Sequence, residues 1–177
     1  MRLALIGLPG SGKSTLGRLL ARALDCPFAD TDAAVEAASG VPIQSIFESQ
    51  GEAAFRDLEE VVLAEIAVRP EVVVATGGGV ILRETNRALL RSRFTVVYLR
   101  ATTECLFRRM RQDSKRPLLQ VADRLARLQD LFAARDPLYR QVADVTVDVL
   151  ETRPDRAVRL ILSKLEDEAG LMSRSRS

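Results

Sequence analysis

The 177-residue sequence has no histidine and only two cysteines, Cys26 and Cys105. Without histidine, Ser–His and Cys–His catalytic pairs are excluded, and zinc sites built from His and Cys lack their ligands. The cysteines form no C-x-x-C pair and are expected to be packing residues in a reducing compartment. No run of 18 apolar residues occurs, so no membrane span is expected. The first apolar run is interrupted by glycines after a few residues, too early for a secretory leader. The expected location is the cytoplasm. Charge of one sign is also lacking: 26 basic residues against 24 acidic leave a net charge of +2. That is too small to argue for nucleic acid, so each arginine is read individually. An apolar content of 47% and a charged content of 28% are ordinary for a soluble globular chain. The length suggests one domain, able to bury about 70% of the unfolded surface without a disulfide.

What the sequence does have is concentrated near its start. Leu3–Ile6 is a short apolar run, followed by Gly7-Leu8-Pro9-Gly10-Ser11-Gly12-Lys13-Ser14-Thr15. A helical pattern then carries Leu16, Leu19, Leu20 and Leu24 on one face. Strand, G-x-x-x-x-G-K-[ST] loop and helix together form the context of a phosphate-binding loop. Glycines at 7, 10 and 12 allow positive φ and close approach of backbone N–H groups to an anion. The helix opening near Gly12 adds its positive dipole end. Lys13 supplies a full charge for β/γ-phosphates, and Ser14 a hydroxyl for Mg²⁺, a hard ion that prefers oxygen. Gly10, Ser11, Gly12, Lys13, Ser14 and Thr15 are the candidate ATP-binding residues of this loop.

Farther along, Cys26–Ala29 reads as a second strand and Ala33–Ser39 as a short helix ended by Gly40. A helical region follows from Pro42 to about Val68, broken near Gly51. Val72–Ala75 is a buried strand, Arg83–Arg91 a helix and Thr95–Leu99 a strand. Thr102 or Thr103 caps a helix to about Arg111. Gln112–Pro117 breaks the pattern, and another helix spans about Ala122 to Arg135. Asp144–Val149 is the last strand. Pro154 stands in the first turn of an amphipathic helix carrying Val158, Leu160, Ile161 and Leu165. Ser173–Ser177 is expected to be disordered. Strands alternating with helices imply βαβ units and a parallel sheet covered on both sides. Ligands then lie beyond the carboxyl ends of the strands. The phosphate loop, Asp30–Asp32 and Gly77–Gly79 should meet there.

Asp30 and Asp32 both follow the second strand. One can hold water on Mg²⁺ and the other can accept or orient a hydroxyl proton, although a helix N-cap explains either acid as well. Arg56 follows Gly51-Glu52 on a helix whose apolar face is Phe55 and Leu58; a solvated arginine is the plain alternative. Gly77, Gly78 and Gly79 let a ligand approach backbone N–H groups, or simply make a tight turn. The strand before them ends in glycine where many phosphate-loop ATPases carry a metal-binding Asp, which favours a small-molecule kinase. Arg108, Arg109, Arg111, Lys115 and Arg116, followed by Pro117, suit a lid that brings an arginine to the phosphoryl group and excludes water. Arg135, near Pro137, is placed at a helix end.

In order and spacing these stretches resemble the shikimate kinase family from about Leu3 to Leu165. The residues that carry the resemblance are the phosphate loop, Phe28-x-Asp30-x-Asp32, Gly51-Glu52-x-x-Phe55-Arg56, Gly77-Gly78-Gly79 with Asn86-Arg87, Arg116-Pro117-Leu118-Leu119 and Arg135-x-Pro137-Leu138-Tyr139. The resemblance implies an α/β fold, P-loop NTPase-like and nucleoside monophosphate kinase-like, with three α/β/α layers, a five-stranded parallel sheet and a mobile lid. It implies one domain over 1–168, with an acceptor segment at about 33–61, a lid at about 110–122 and a disordered tail at 169–177. The implied reaction transfers the ATP γ-phosphate to the 3-hydroxyl of shikimate in aromatic amino-acid biosynthesis. By the same resemblance Lys13, Asp32 and Arg116 are catalytic, and Asp32, Arg56, Gly77, Gly78, Gly79 and Arg135 meet the substrate, the two arginines through its carboxylate. Arg109, Arg116 and the Arg153-Pro154 turn contact ATP, and Ser14 and Asp30 hold Mg²⁺ directly and indirectly. No nucleic-acid or membrane partner is expected, and the protein is expected to be a monomer. Gluconate kinase, a nucleoside monophosphate kinase and a non-catalytic ATP-binding regulator are the alternatives.

Overall fold

A computed structural model describes residues 1–110, 123–149 and 153–174, with the backbone alone for 110, 124 and 169–174. The elements run β1 (Arg2–Ile6), α1 (Lys13–Ala23), β2 (Phe28–Asp30), α2 (Thr31–Ser39), α3 (Ile43–Ala67), β3 (Val72–Ala75), a 3₁₀ turn (Val80–Leu82), α4 (Glu84–Arg93), β4 (Thr95–Arg100), α5 (Thr103–Met110), α6 (Arg124–Val142), β5 (Val145–Asp148) and α7 (Pro154–Arg174). All five strands are parallel, in the order β2-β3-β1-β4-β5. The expected α/β architecture is the observed one.

The central strands are apolar along their length because both faces are covered. Leu3 to Ile6, Val72 to Val74 and Val96 to Val97 are completely buried. Helices α1 and α7 pack together, while α3 contacts α4 and α4 contacts α6. At Gly17 in α1 a Cβ would stand 2.6 Å from the Phe28 ring, so the missing side chain lets α1 lie close to β2.

Several boundaries differ from the sequence reading. Strand β2 is Phe28–Asp30, starting two residues and ending one residue later than expected, because β3 aligns Phe28, Ala29 and Asp30 with Val73, Val74 and Ala75. Gly51 breaks α3 as expected, with φ 82° and ψ 176°. Thr102 caps α5 through its hydroxyl, which accepts from Cys105 N at 3.3 Å. Helix α6 does not end at Arg135 but continues through Pro137 to Val142. A proline inside a helix costs about 3 kcal/mol, yet the far turn is kept by burial of Tyr139 and Val142. Arg135 therefore lies within a helix, not at its end. Helix α7 runs to Arg174, through the stretch from 169 read as tail; residues 175–177 lie outside those described.

Gly7 joins β1 to the phosphate loop with φ 146°, and a Cβ there would stand 2.6 Å from the Leu99 carbonyl oxygen of β4. The strained φ and the backbone overlap add. Gly7→Ala is expected to lower stability by about 2–3 kcal/mol. Urea unfolding measures this, and a loss under about 0.5 kcal/mol, the range of neutral surface changes, would show that the β1–β4 junction tolerates a side chain.

Candidate active site

The phosphate loop leaves β1 and feeds α1 through Gly12, which holds the N-cap position at φ 92°. Lys13 is buried, and its Nζ donates to the carbonyls of Gly7 at 2.8 Å and Leu8 at 2.9 Å. Ser11 Oγ is buried with no hydrogen-bond partner among the described residues. Gly10, Gly12, Lys13, Ser14 and Thr15 line a cleft of about 210 Å³, which Asp30, Asp32, Thr76, Gly78 and Arg109 complete. The loops after β1, β2 and β3 therefore meet at the carboxyl ends of adjacent strands, as expected for a parallel sheet.

Asp30 does two things at once. Its Oδ1 accepts from Asp32 N at 3.1 Å as the N-cap of α2, and its Oδ2 accepts from Ser14 Oγ at 2.6 Å. The capping alternative thus holds for Asp30, without removing it from the cleft. Its contact with Ser14 brings together two hard oxygen ligands suited to Mg²⁺. No cluster of three or more His, Cys, Asp or Glu that could hold a metal occurs among the described residues. This donor set fits an ion held mostly by phosphate oxygens and water.

The glycine turn after β3 is where the two arginines arrive. Gly77 N donates to Thr31 Oγ1 at 2.8 Å. Arg135, on α6, donates from Nη1 to the Gly78 carbonyl at 3.1 Å. Arg56, on α3, packs so closely on Gly79 that a Cβ there would stand 2.3 Å from Nη2. Both arginines are buried, at 7% and 5% residue exposure, so neither is the solvated arginine of the plain alternative. Arg56 Nη1 donates to Glu59 at 2.7 Å and Nη2 to Glu52 at 3.0 Å, while Nε is buried without a partner among the described residues.

Glu59 is the residue that the sequence reading missed. It is completely buried, its Oε1 has no partner among the described residues, and that oxygen would lie 2.3 Å from a Cβ on Gly77. Burial raises its carboxyl pKa, opposed by the Arg56 charge and hydrogen bond, and the Asp32 charge raises it further. A signal was present: Glu59 follows Arg56 by three residues and lies on the apolar face of α3, between Phe55 and Val62.

Arg109 lines the cleft and donates to the Val149 carbonyl at 3.2 Å. Arg153 is exposed, 3.7 Å from Asp155, and Pro154 opens α7. Arg116 and the lid stretch 111–122 lie outside the described residues.

The shikimate kinase family model matches residues 9–166. The chain belongs to the shikimate kinase family. It is 52% identical to a shikimate kinase of Neisseria meningitidis serogroup C over 164 residues, 93% of this chain and 95% of that one. The fold superposes with a TM-score of 0.92 and 41% identity on shikimate kinase from Acinetobacter baumannii in complex with shikimate, covering 94% and 93% of the two chains. A gluconokinase from Sinorhizobium meliloti, at 23% identity, TM-score 0.64 and 99% and 97% coverage, shares the fold alone.

Because burial raises the Glu59 pKa against the pull of Arg56, the folded chain holds the carboxyl proton more tightly than the unfolded chain does and is stabilised by it. That contribution is fully present below the unfolded carboxyl pKa and is lost as pH rises through the raised folded value. Glu59→Gln cannot titrate. Urea unfolding from about pH 4 to about pH 7 should therefore show the stability of the wild type falling relative to this variant as pH rises. A difference growing in favour of the wild type would mean that the Arg56 ion pair outweighs desolvation.

Proposed function

We propose that the protein transfers the ATP γ-phosphate to the 3-hydroxyl of shikimate, giving shikimate 3-phosphate and ADP. The observation that carries this reading is the convergence of buried Arg56 and Arg135 on the glycine turn whose Gly78 lines the same cleft as Lys13 and Asp32. Two arginine forks suit a carboxylate, which fixes the acceptor ring so that one hydroxyl points in line. Phosphoryl transfer needs positioning and charge neutralisation more than covalent help.

In this reading Gly10, Ser11, Gly12, Ser14 and Thr15 cradle the nucleotide phosphates. Lys13 exchanges its two carbonyl acceptors for the β/γ-phosphates. Ser14 would hold Mg²⁺ with Asp30 behind it, and the ion supplies charge neutralisation on the phosphates. Asp32 receives or orients the hydroxyl proton. Gly77, Gly78 and Gly79 face the acceptor with Arg56 and Arg135, Arg109 and the Arg153-Pro154 turn flank the nucleotide base, and Arg116 reaches the phosphates from the lid. Residues 33–61 form the acceptor segment, 110–122 the lid, and 1–168 the kinase domain of a cytoplasmic monomer that acts without nucleic acid or membrane.

ATP consumption with shikimate, gluconate, AMP or CMP as acceptor tests the assignment; shikimate alone should support turnover. Tight ATP binding with no acceptor turned over would favour a regulator instead. Asp32→Asn is expected to lower kcat by at least ~10²-fold, the scale of a general-base contribution, with ATP still bound; near-normal turnover would remove Asp32 from the chemistry. Arg56→Ala should weaken shikimate binding by ~1.5–3 kcal/mol, typical of a charged hydrogen bond. Calorimetric titration reads this directly, and an unchanged Kd would leave Arg56 without a role in acceptor binding.

A further inference from the structure

Tyr139 ends the Arg135–Tyr139 stretch and has no part in the reading above. It is completely buried. Its ring stacks on Tyr98 with centroids 4.9 Å apart and planes 25° from parallel. Its hydroxyl donates to the Gly78 carbonyl, the same oxygen that accepts from Arg135 Nη1 at 3.1 Å. A carbonyl oxygen has two lone pairs, so these two donors fill it. The stack is braced behind: Tyr98 donates to Asp136 Oδ1 at 2.9 Å, and Asp136 Oδ2 accepts from Arg140 at 2.6 Å. Burial raises the Tyr139 pKa, and the Arg135 charge offsets only part of that, so the hydroxyl keeps its proton and remains a donor.

A trans peptide places its C=O and the following N–H on opposite edges of one plane. Fixing the Gly78 carbonyl therefore fixes the direction of the Gly79 N–H. Neither the Gly78 nor the Gly79 N–H has an acceptor among the described residues. Three successive glycines have the softest backbone available, and a single hydrogen bond leaves such a peptide free to rock about it. The second donor removes that freedom.

We propose that Tyr139 is a positioning residue for the acceptor: its hydroxyl locks the Gly78–Gly79 peptide and sets the direction in which the turn presents its N–H donors to the substrate. This rests on the kinase reading, so wild-type turnover of shikimate is measured first. Its absence would overturn that reading and this proposal with it. Tyr139→Phe keeps the ring and its stack but removes the donor. Its KM for shikimate should rise roughly 3- to 10-fold, the range of one neutral hydrogen bond, with the KM for ATP unchanged. Tyr98→Phe, which removes the hydroxyl of the stacked partner, should leave both KM values unchanged. The Gly79 amide resonance should move in Tyr139→Phe and stay in place in Tyr98→Phe. An unchanged shikimate KM in Tyr139→Phe would overturn the proposal. So would a parallel rise in both KM values, or an equal effect of Tyr98→Phe, since either would mark the tyrosine pair as purely structural.

Discussion

Three consecutive Cα atoms without side chains set the spacing of the whole cleft. A Cβ at Gly77 would strike Glu59 at 2.3 Å, one at Gly78 would meet Pro9 of the phosphate loop at 2.9 Å, and one at Gly79 would overlap the Arg56 guanidinium at 2.3 Å. Glu59, the phosphate loop and Arg56 therefore approach the same turn from three directions. Any one of them could be accommodated by a small shift. All three together require that the turn have no side chains at all, because close-packed neighbours leave nowhere for the displaced atoms to go.

The sheet order makes this meeting possible. Strand β3 lies between β2 and β1, so the loops that leave the three strands are neighbours at their carboxyl ends. Side chains tie those ends together. Thr76 Oγ1 donates to the Leu5 carbonyl at 3.0 Å, Gly77 N donates to Thr31 Oγ1 at 2.8 Å, and Asp30 links Ser14 to the first turn of α2. The strands supply a rigid rim, and the helices α3 and α6 bring Arg56 and Arg135 to it. The cleft is thus built from loops fixed by the sheet and long cations fixed by burial.

Much of this was legible in residue order. The phosphate loop, the β-branched run Val72–Val74 and the glycine triplet each have a local cause that needs no tertiary context. What stayed hidden depended on contacts between distant segments. Pro137 reads as a helix stop, yet burial of Tyr139 and Val142 carries α6 past it. Cys26-Pro27 reads as the start of a strand, yet pairing with β3 begins at Phe28. Tyr139 looked like the end of a motif, and only the fold reveals its hydroxyl on the Gly78 carbonyl, 61 residues away in sequence. Glu59 was the avoidable miss, since an acid on the apolar face of α3, one turn beyond Arg56, already signals a buried pair.

On the kinase reading, that pair explains how Arg56 can stay buried and charged before an acid reaches it. A buried guanidinium must keep a counter-charge, and Glu59 and Glu52 provide it on Nη1 and Nη2. Among the described residues Nε remains an orphan donor, and Glu59 keeps an orphan oxygen within reach of Gly77. Both are costly in a folded chain. On the kinase reading a carboxylate reaching Nε would satisfy the first, and a hydroxyl beside the turn could satisfy the second. Incomplete hydrogen bonding at Arg56 and Glu59 then favours an acceptor that carries both groups on one small ring, because an acid without the hydroxyl, or a polyol without the acid, relieves only one of the two.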